Sequence, residues 1–272
     1  MSDEASPLRL SVVAPAHNEE GNVRALVEEI CSALRPLGIH FEIVLVDDGS
    51  TDATRQRIVD AMAVAPELRC IATAGTPPGL GNGQSAAFYV GFRAAYGELI
   101  ATLDADLQND PADLPRLLEE MDRTDAQMVQ GDRSAARSQG DAWHRRYTSL
   151  VGRAFRRMLL GDTIRDTGCS LRVMHREIAL RLPLEFKGAH RFIPVTARQM
   201  GYRVVELPVN HRHRHSGETK YGMGVGKRAI PGLIDCFAIR WMGNRRRPIA
   251  AERIERSATP EAAAQELTGA GR

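Results

Sequence analysis

Three oxygen-bearing side chains occupy alternate positions in the segment Asp104-Ala105-Asp106-Leu107-Gln108. Alternate residues of an extended chain point the same way, so Asp104, Asp106 and Gln108 are predicted to present their oxygens on one side. Mg²⁺ and Mn²⁺ prefer oxygen ligands and often keep coordination sites for substrate phosphates. The spacing favours a divalent-metal site for a phosphate-bearing ligand. Because such triplets also arise by chance, the interpretation depends on where this one lies in the fold.

The first half of the chain alternates short apolar runs with amphipathic stretches, which predicts an α/β fold with a mostly parallel central sheet flanked by helices. Ligands of such sheets bind beyond the carboxyl ends of the strands, and the Asp pair follows the fourth predicted strand. The predicted strands cover 8–14, 41–46, 68–73, 99–103, 170–174 and 203–207, and the predicted helices cover 21–34, 52–63, 84–96, 145–160 and 191–200.

Polar residues also follow the first two predicted strands. The segment PAHNEEGN stands where a dinucleotide-binding protein would carry a glycine-rich turn, which counts against a dehydrogenase. Asn18 or Glu19 either caps the next helix or, for Glu19, accepts hydrogen bonds from a base or ribose. In DDGSTD, one of Asp47 and Asp48 is expected to stabilise the turn, and the other can bind a nucleotide base.

Length, composition and charge narrow the class of protein. The 272 residues suit one large domain, and 43% apolar with 26% charged residues is typical of a soluble globular protein. A net charge of +2 gives no global field for gathering nucleic acid, so no nucleic-acid partner is expected. An acidic N-terminus without a signal peptide, and no apolar run of about eighteen residues, predict a cytoplasmic location. The four scattered cysteines predict reduced thiols.

Seven segments occur in the order found in family-two inverting glycosyltransferases of the GT-A fold, and the chain resembles that family over roughly residues 8–240. More narrowly, it is similar to the polyprenyl-phosphate glycosyltransferases, the branch of dolichol-phosphate mannose synthase and the bactoprenol glycosyltransferases. Arg240-Trp241 lacks the preceding Gln of the Q-x-x-R-W motif, so polymer synthesis is not expected. The segments are PAHNEEGN, VLVDDGSTDAT, GNGQSAAFYVGFRAAYGE, TLDADLQNDPADLP, QGDRSAARSQGD, DTGCSLRVMHRE and HRFIPVTARQMGYRVVELPVNHRHRHSGETKYG.

The resemblance implies a donor site for a nucleotide-diphospho-sugar with Mg²⁺ or Mn²⁺. Asp104, Asp106 and Gln108 would hold the metal and the diphosphate. Arg214 and Lys220 would close over the diphosphate, although a solvated basic loop is the alternative for this segment. The implied donor-binding residues are Pro15, His17, Glu19, Val46, Asp48, Asp104, Ala105, Asp106, Gln108, Arg133, Arg214 and Lys220.

The implied reaction transfers a hexose from a UDP- or GDP-sugar to a polyprenyl phosphate with inversion. Asp106 and Asp166 are the expected catalytic residues, and Asp166 lies where the branch places its acceptor-side carboxylate. A lipid monophosphate, with a second pKa of about 6, is already nucleophilic near neutral pH, so Asp166 either orients or deprotonates. The alternatives are a transferase with a soluble or glycan acceptor and a non-catalytic nucleotide-sugar-binding protein.

Two segments combine arginines with large apolar residues, at 144–160 and at 230–247. Such helices either lie in the headgroup layer of a membrane or pack on the sheet with a solvated basic face. With a lipid acceptor, peripheral contact at the inner face of the cytoplasmic membrane is expected. The predicted organisation is an extension at 1–7, a GT-A catalytic domain at 8–223, an amphipathic basic helix at 224–247 and a disordered tail at 248–272, with the oligomeric state left open.

Overall fold

The computed structural model describes residues 8–77, 79–135, 143–212 and 225–247. Its strands are β1 (Leu10–Ala16), β2 (Phe41–Asp47), β3 (Leu68–Ala72), β4 (Leu99–Thr102), β5 (Met128–Asp132), β6 (Arg172–His175) and β7 (Val204–Pro208). They form a sheet in the order β3-β2-β1-β4-β6-β5-β7. Neighbouring strands are parallel except at β6, which runs antiparallel to both β4 and β5. The predicted α/β class with a mostly parallel sheet is confirmed.

Helices cover both faces of this sheet. Helices α1, α2 and α4 pack on one face, where they meet Val12, and α3, α6 and α7 pack on the other, where they meet Val13. This alternation along β1 is the two-residue period of a strand that is buried on both sides. The helices are α1 (Val23–Leu34), α2 (Thr54–Met62), α3 (Gln84–Ala94), α4 (Leu114–Thr124), α5 (Trp143–Leu160), α6 (Arg176–Arg181), α7 (Ile193–Gln199) and α8 (Val225–Arg245).

The last long helix, α8, packs with α5 against the end of the fold. Cys236 and Ile239 of α8 contact Phe192 and Val195, and Phe155 of α5 joins the same cluster. Among the described residues, none of the helices combines the length and the apolar character needed to cross a membrane. The predicted extension 1–7 and tail 248–272 lie outside the described residues.

Three elements of the structure were not predicted, and the others differ from their predicted bounds by one or two residues. Helix α4 was not predicted, although its buried residues Leu114, Leu117 and Met121 recur with a helical period. Strand β5 (MVQGD) and the short helix α6 were also not predicted. Strand β5 buries polar residues, so it lacks the apolar run that identifies the other strands. Strand β1 extends two residues beyond the predicted end and includes Pro15. This is tolerated because β1 pairs with β4 only as far as Val13.

Candidate functional site

The carboxyl ends of the parallel strands bring the predicted site residues to one edge of the sheet. β1 ends at Ala16, β2 at Asp47 and β4 at Thr102, and a polar segment follows each strand. Parallel neighbours end at the same edge, so these three segments lie side by side. The edge joins three acidic or amide-rich segments that are far apart in the sequence.

The loop after β4, residues 103–108, carries the two aspartates that are predicted to bind a metal, and it is named the metal loop after that prediction. Residues 105–107 form a turn instead of an extended stretch, so the expectation that Asp104, Asp106 and Gln108 alternate along a strand is wrong. Buried Leu107 has a φ of 60°, a left-handed conformation that leucine rarely adopts. The Gln108 N–H donates to Asp106 Oδ1 at 3.1 Å and fixes the turn. Strained backbone of this kind persists where surrounding contacts hold it, and it is concentrated at functional sites.

Asp104 opens this loop in a partly buried position. Its Oδ1 accepts a hydrogen bond of 2.5 Å from Gln84 Nε2, at the start of α3. Burial raises the pKa of Asp104, and the neighbouring Asp106 carboxylate raises it further. A carboxylate whose ionisation is opposed by burial and by a neighbouring carboxylate favours a bound cation. In the described part of the chain, no three His, Cys, Asp or Glu side chains form a complete metal site, so oxygens of a ligand would have to complete the coordination.

Asp47, the last residue of β2, stabilises the following turn. It is fully buried and accepts hydrogen bonds from the Ser50 N–H at 3.0 Å and from Arg55 Nε at 2.7 Å. Burial alone would raise the pKa of Asp47, but the bonds from Ser50 and Arg55 outweigh burial and lower it. This is the turn role predicted for one residue of the aspartate pair.

Asp48, its neighbour, holds the loop between β3 and α3. Its Oδ2 accepts from the Gly83 N–H at 2.8 Å, and its Oδ1 accepts from Thr73 Oγ1 at 3.0 Å and Asn82 Nδ2 at 3.1 Å. Gly81 passes so close, with a φ of 58°, that an added Cβ would lie 3.1 Å from Asp48 Oδ2. The Asp48 carboxylate therefore organises a glycine-rich wall at the sheet edge.

The segment after β1 is tied to the segment after β2. His17 Nδ1 lies 2.7 Å from the Asp48 carbonyl oxygen, so Nδ1 must carry the proton that it donates. Asn18, with a φ of 55°, accepts from the Thr51 N–H at 2.8 Å. Because α1 begins only at Val23, Asn18 is not its cap. These bonds fix the two segments against each other.

The other residues that were predicted to bind the donor here differ in how far their side chains are exposed. Glu19 Oε2 accepts from Asn22 Nδ2 at 2.7 Å, and Pro15 is partly buried at the end of β1. The side chain of Val46 is fully buried against α3, and Ala105 is also buried. Val46 and Ala105 therefore offer mainly their backbone to a ligand.

A buried ion pair lies beyond β5, on the other side of the edge. Arg133 Nε donates to Asp166 Oδ2 at 2.8 Å and Arg133 Nη2 donates to Asp166 Oδ1 at 3.3 Å, with both side chains about nine-tenths buried. Burial alone would lower the pKa of Arg133, but the bond to Asp166 and nearby negative groups outweigh it and raise that pKa. The structure brings these two predicted residues into direct contact, a pairing that their positions in the sequence do not indicate.

Arg172, the first residue of β6, is a buried cation that was not among the predicted site residues. Its Nη2 donates to the Cys169 carbonyl oxygen, and its Nη1 donates to the His190 carbonyl oxygen at 3.4 Å. Its Nε has no hydrogen-bond partner among the described residues. Burial lowers the pKa of Arg172 to about 10, and the nearby Asp104 carboxylate opposes this shift. Arg172 thus adds positive charge behind the metal loop.

A neutral histidine completes this side of the edge. Ser85 Oγ lies 2.8 Å from His190 Nδ1 and accepts from the His190 N–H at 3.2 Å. Burial lowers the pKa of His190 to about 3, with smaller contributions from Arg191 and Arg172. Ser85 follows Gln84, the partner of Asp104, so His190 is connected to the metal loop through the start of α3. No sequence signal pointed to this contact.

The predicted phosphate-closing residues Arg214 and Lys220 lie outside the described residues. The chain that leads to them is described as far as Arg212. His211 pairs with Asn109 in an isolated bridge, and Arg212 Nη2 donates to Asp110 Oδ1 at 2.6 Å. The segment before Arg214 is therefore anchored directly beside the metal loop.

The sequence of this chain matches a known protein family. Residues 11–182, more than half of the chain, match the family model described as glycosyl transferase family 2. The chain belongs to glycosyl transferase family 2. This membership makes it a glycosyltransferase and confirms the family expected from the ordered segments.

Two relatives are similar to this family 2 transferase over most of its length. An undecaprenyl-phosphate 4-deoxy-4-formamido-L-arabinose transferase of Edwardsiella ictaluri is 35% identical over 237 residues, which cover 87% of this chain and 70% of the relative. A dodecaprenyl-phosphate galacturonate synthase of Rhizobium johnstonii is 35% identical over 244 residues, covering 86% and 68%. Both names place the sugar on a polyprenyl phosphate.

Solved structures support the fold of the family 2 transferase. Glucosyl-3-phosphoglycerate synthase of Mycobacterium tuberculosis, in complex with Mn²⁺, uridine diphosphate and phosphoglyceric acid, aligns with a TM-score of 0.63 at 22% identity. The alignment covers 85% of this chain and 79% of the synthase. This agreement confirms the GT-A fold.

Proposed function

We propose that this family 2 enzyme transfers a sugar from a nucleotide-diphospho-sugar to a polyprenyl phosphate, with inversion at the anomeric carbon. The observation that carries the proposal is the convergence of Asp48, Asp104 and Asp106 with the buried Arg133–Asp166 pair at one edge of the sheet. The names of the two similar relatives support the choice of a lipid phosphate as acceptor.

The donor would occupy the half of the edge formed by β1, β2 and β4. The Asp48 loop offers a wall for the base, and His17 and Glu19 lie beside it. The diphosphate would lie at the turn that holds Asp104 and Asp106. In the full chain, Arg214 and Lys220 are proposed to bind the diphosphate as well.

Asp104, Asp106 and Gln108 are proposed to hold Mg²⁺ or Mn²⁺ together with the diphosphate. The donor set fits a hard cation, because two carboxylates and a half-buried amide lie in one turn and Asp104 is destabilised in its charged form. When bound, such a cation would supply positive charge to offset the negative charge that develops on the departing diphosphate. The protein's own contribution is to fix the two carboxylates through Gln84 and the strained Leu107.

The acceptor phosphate would approach from the half formed by β5, β6 and β7. A phosphate oxygen attacks the anomeric carbon while the bond from that carbon to the diphosphate oxygen breaks and its electron pair stays with the diphosphate. Both Asp166 oxygens accept hydrogen bonds from Arg133, which makes Asp166 a poor base. We therefore assign Asp166 the role of orienting Arg133, whose positive charge would attract the acceptor phosphate as well as the donor diphosphate expected there.

The acceptor would also determine where the protein acts. A polyprenyl phosphate is confined to a membrane, so the enzyme would work as a peripheral protein at the inner face of the cytoplasmic membrane. Nucleotide-sugar donors are water-soluble and would reach the site from the cytoplasm.

The proposal is tested by incubating the full chain with Mn²⁺, radiolabelled UDP- or GDP-sugars and undecaprenyl phosphate, followed by chloroform extraction. Labelled lipid is the expected product, and Asp106→Asn should reduce its formation by about 100-fold or more while leaving the circular dichroism spectrum unchanged. The exposed Asp60→Asn is the matched control and should retain full transfer. Label that stays in the aqueous phase on a soluble glycan would overturn the acceptor assignment.

A further inference from the structure

Helix α8 is apolar on two opposite faces. The inner face packs on the fold through Cys236, Ile239 and Gly243, where an added Cβ on Gly243 would lie 2.7 Å from Gln199 Oε1. The outer face carries four large side chains that are 42–62% exposed, namely Leu233, Ile234, Phe237 and Trp241. With about 100° between successive residues, these four fall within an arc of about 100°. A single stripe therefore remains uncovered along about two turns.

We propose that this outer face of α8 docks on an anionic lipid bilayer. The proposal rests on the proposed function, in that it names the surface that brings the enzyme to its lipid acceptor.

Charge at this surface complements an anionic membrane. Arg240 and Arg245 are exposed beside the stripe, and the Arg245 guanidinium lies 5.6 Å from the Trp241 ring centroid. Arginine beside tryptophan is a pairing found where a helix meets the headgroup layer. Asp235, the single acidic residue of α8, is turned inward, since an added Cβ on Gly188 would lie 2.7 Å from its Oδ2.

Helix α5 extends the same surface. The rings of Phe155 and Phe237 meet edge to face with centroids 6.1 Å apart, which joins the two helices. One turn further along α5, Met158 is 75% exposed and Arg157 is also exposed. The sequence of α5 contains five arginines and no acidic residue, whereas the whole chain has a net charge of only +2. Positive charge is thus concentrated on the helices that carry the apolar stripe.

A series of packing contacts also connects this surface to the proposed catalytic edge. The inner face of α8 contacts Phe192, and Phe192 lies in the same helical turn as His190. His190 in turn contacts Ser85 and Arg172. A membrane-bound α8 would therefore support the segment that lies beside the proposed acceptor site.

The test uses the full chain with Trp143→Phe, so that Trp241 is the only tryptophan. Vesicles of phosphatidylcholine with 30% phosphatidylglycerol should shift the Trp241 emission to the blue and sediment the protein, and vesicles without the anionic lipid should bind it more weakly. The variant Leu233→Gln with Ile234→Gln and Phe237→Gln should bind at least about tenfold more weakly. The control variant Leu37→Gln with Val59→Gln and Val64→Gln, also at exposed apolar positions, should bind normally.

A second arm separates this inference from the proposed function. Transfer to undecaprenyl phosphate in vesicles should fall at least about tenfold in the triple α8 variant, whereas transfer to water-soluble citronellyl phosphate should be unchanged. Equal vesicle binding by the variant and the parent would overturn the docking surface, as would a dimer that buries Trp241 and does not bind vesicles. If the parent protein bound vesicles but transferred sugar to neither acceptor, the proposed function would be overturned instead.

Discussion

The two halves of the catalytic edge hold their charged side chains by different means. On the donor half, Asp48 is held by hydrogen bonds from loop backbone and small polar side chains, two of them from the exposed residues Asn82 and Gly83. On the other half, Arg133 and Asp166 are held by each other in a nearly dry environment. Opening the Asp48 loop costs little, because water can reach the exposed Asn82 and Gly83 and replace a bond that they lose. Opening the ion pair costs much more, because a buried charge that loses its partner has no such replacement.

The largest expected effect comes from separating the buried pair. Arg133→Ala or Asp166→Ala should each lower the free energy of unfolding by about 3–5 kcal/mol, and the double variant should cost less than the sum. Urea unfolding followed by circular dichroism measures both. Arg24→Ala, at an exposed ion pair with Glu28, is the control and should cause no measurable change. Losses below about 1 kcal/mol at Arg133 and Asp166 would contradict the contrast between the two halves.

A smaller effect is expected at His190. Its pKa is lowered to about 3 in the folded protein from an ordinary value of 6.5, so the unfolded chain takes up a proton first as the pH falls. The stabilising contribution is therefore complete above pH 6.5 and is lost as the pH falls towards 3. His190→Gln should reduce the dependence of unfolding free energy on pH between 6 and 4 by roughly 1 kcal/mol per pH unit. An unchanged slope in His190→Gln would refute the assignment.

The smallest effect should come from the Asp48 loop. Asn82→Ala removes one hydrogen bond to Asp48 and should weaken binding of the nucleoside diphosphate by about fivefold, or about 1 kcal/mol. Stability should change little, because the loop is partly exposed. Titration calorimetry with Mn²⁺ and UDP or GDP measures the affinity, and the exposed Gln56→Ala serves as the control. A loss of stability as large as that at Arg133 would show that the donor half is not loosely held.

The same contrast explains what the sequence could predict. The donor half is built from local signals, since an apolar strand followed by acidic and amide residues identifies both the strand end and the binding loop. The geometry of the Asp104–Gln108 turn was not predictable, because it depends on Leu107 being held at a positive φ by its surroundings. Alternation in an extended strand was the wrong model for that loop.

Residues of the other half depend on contacts between distant segments. Ser85 and His190 are separated by 105 positions, and neither lies in a motif that marks the other as its partner. Arg133 and Asp166 were both identified through family resemblance, but nothing in their spacing indicated an ion pair. Arg172 was missed because a single arginine at a strand start carries no recognisable pattern, and only the folded sheet reveals that it is buried beside Asp104.

The reversed direction of β6 has a consequence for exchanging parts between relatives. Its first residue, Arg172, stands opposite Thr102 of β4 and Gln130 of β5, near the edge where those strands finish. A chimera that replaces residues 128–208 would carry the whole β5–β7 half with its ion pair, while donor recognition would stay with the host. The seam to be preserved includes the bond of 2.7 Å from Asn109 Nδ2 to Ser170 Oγ. The connection between α4 and β5 is therefore a natural recombination boundary for this transferase.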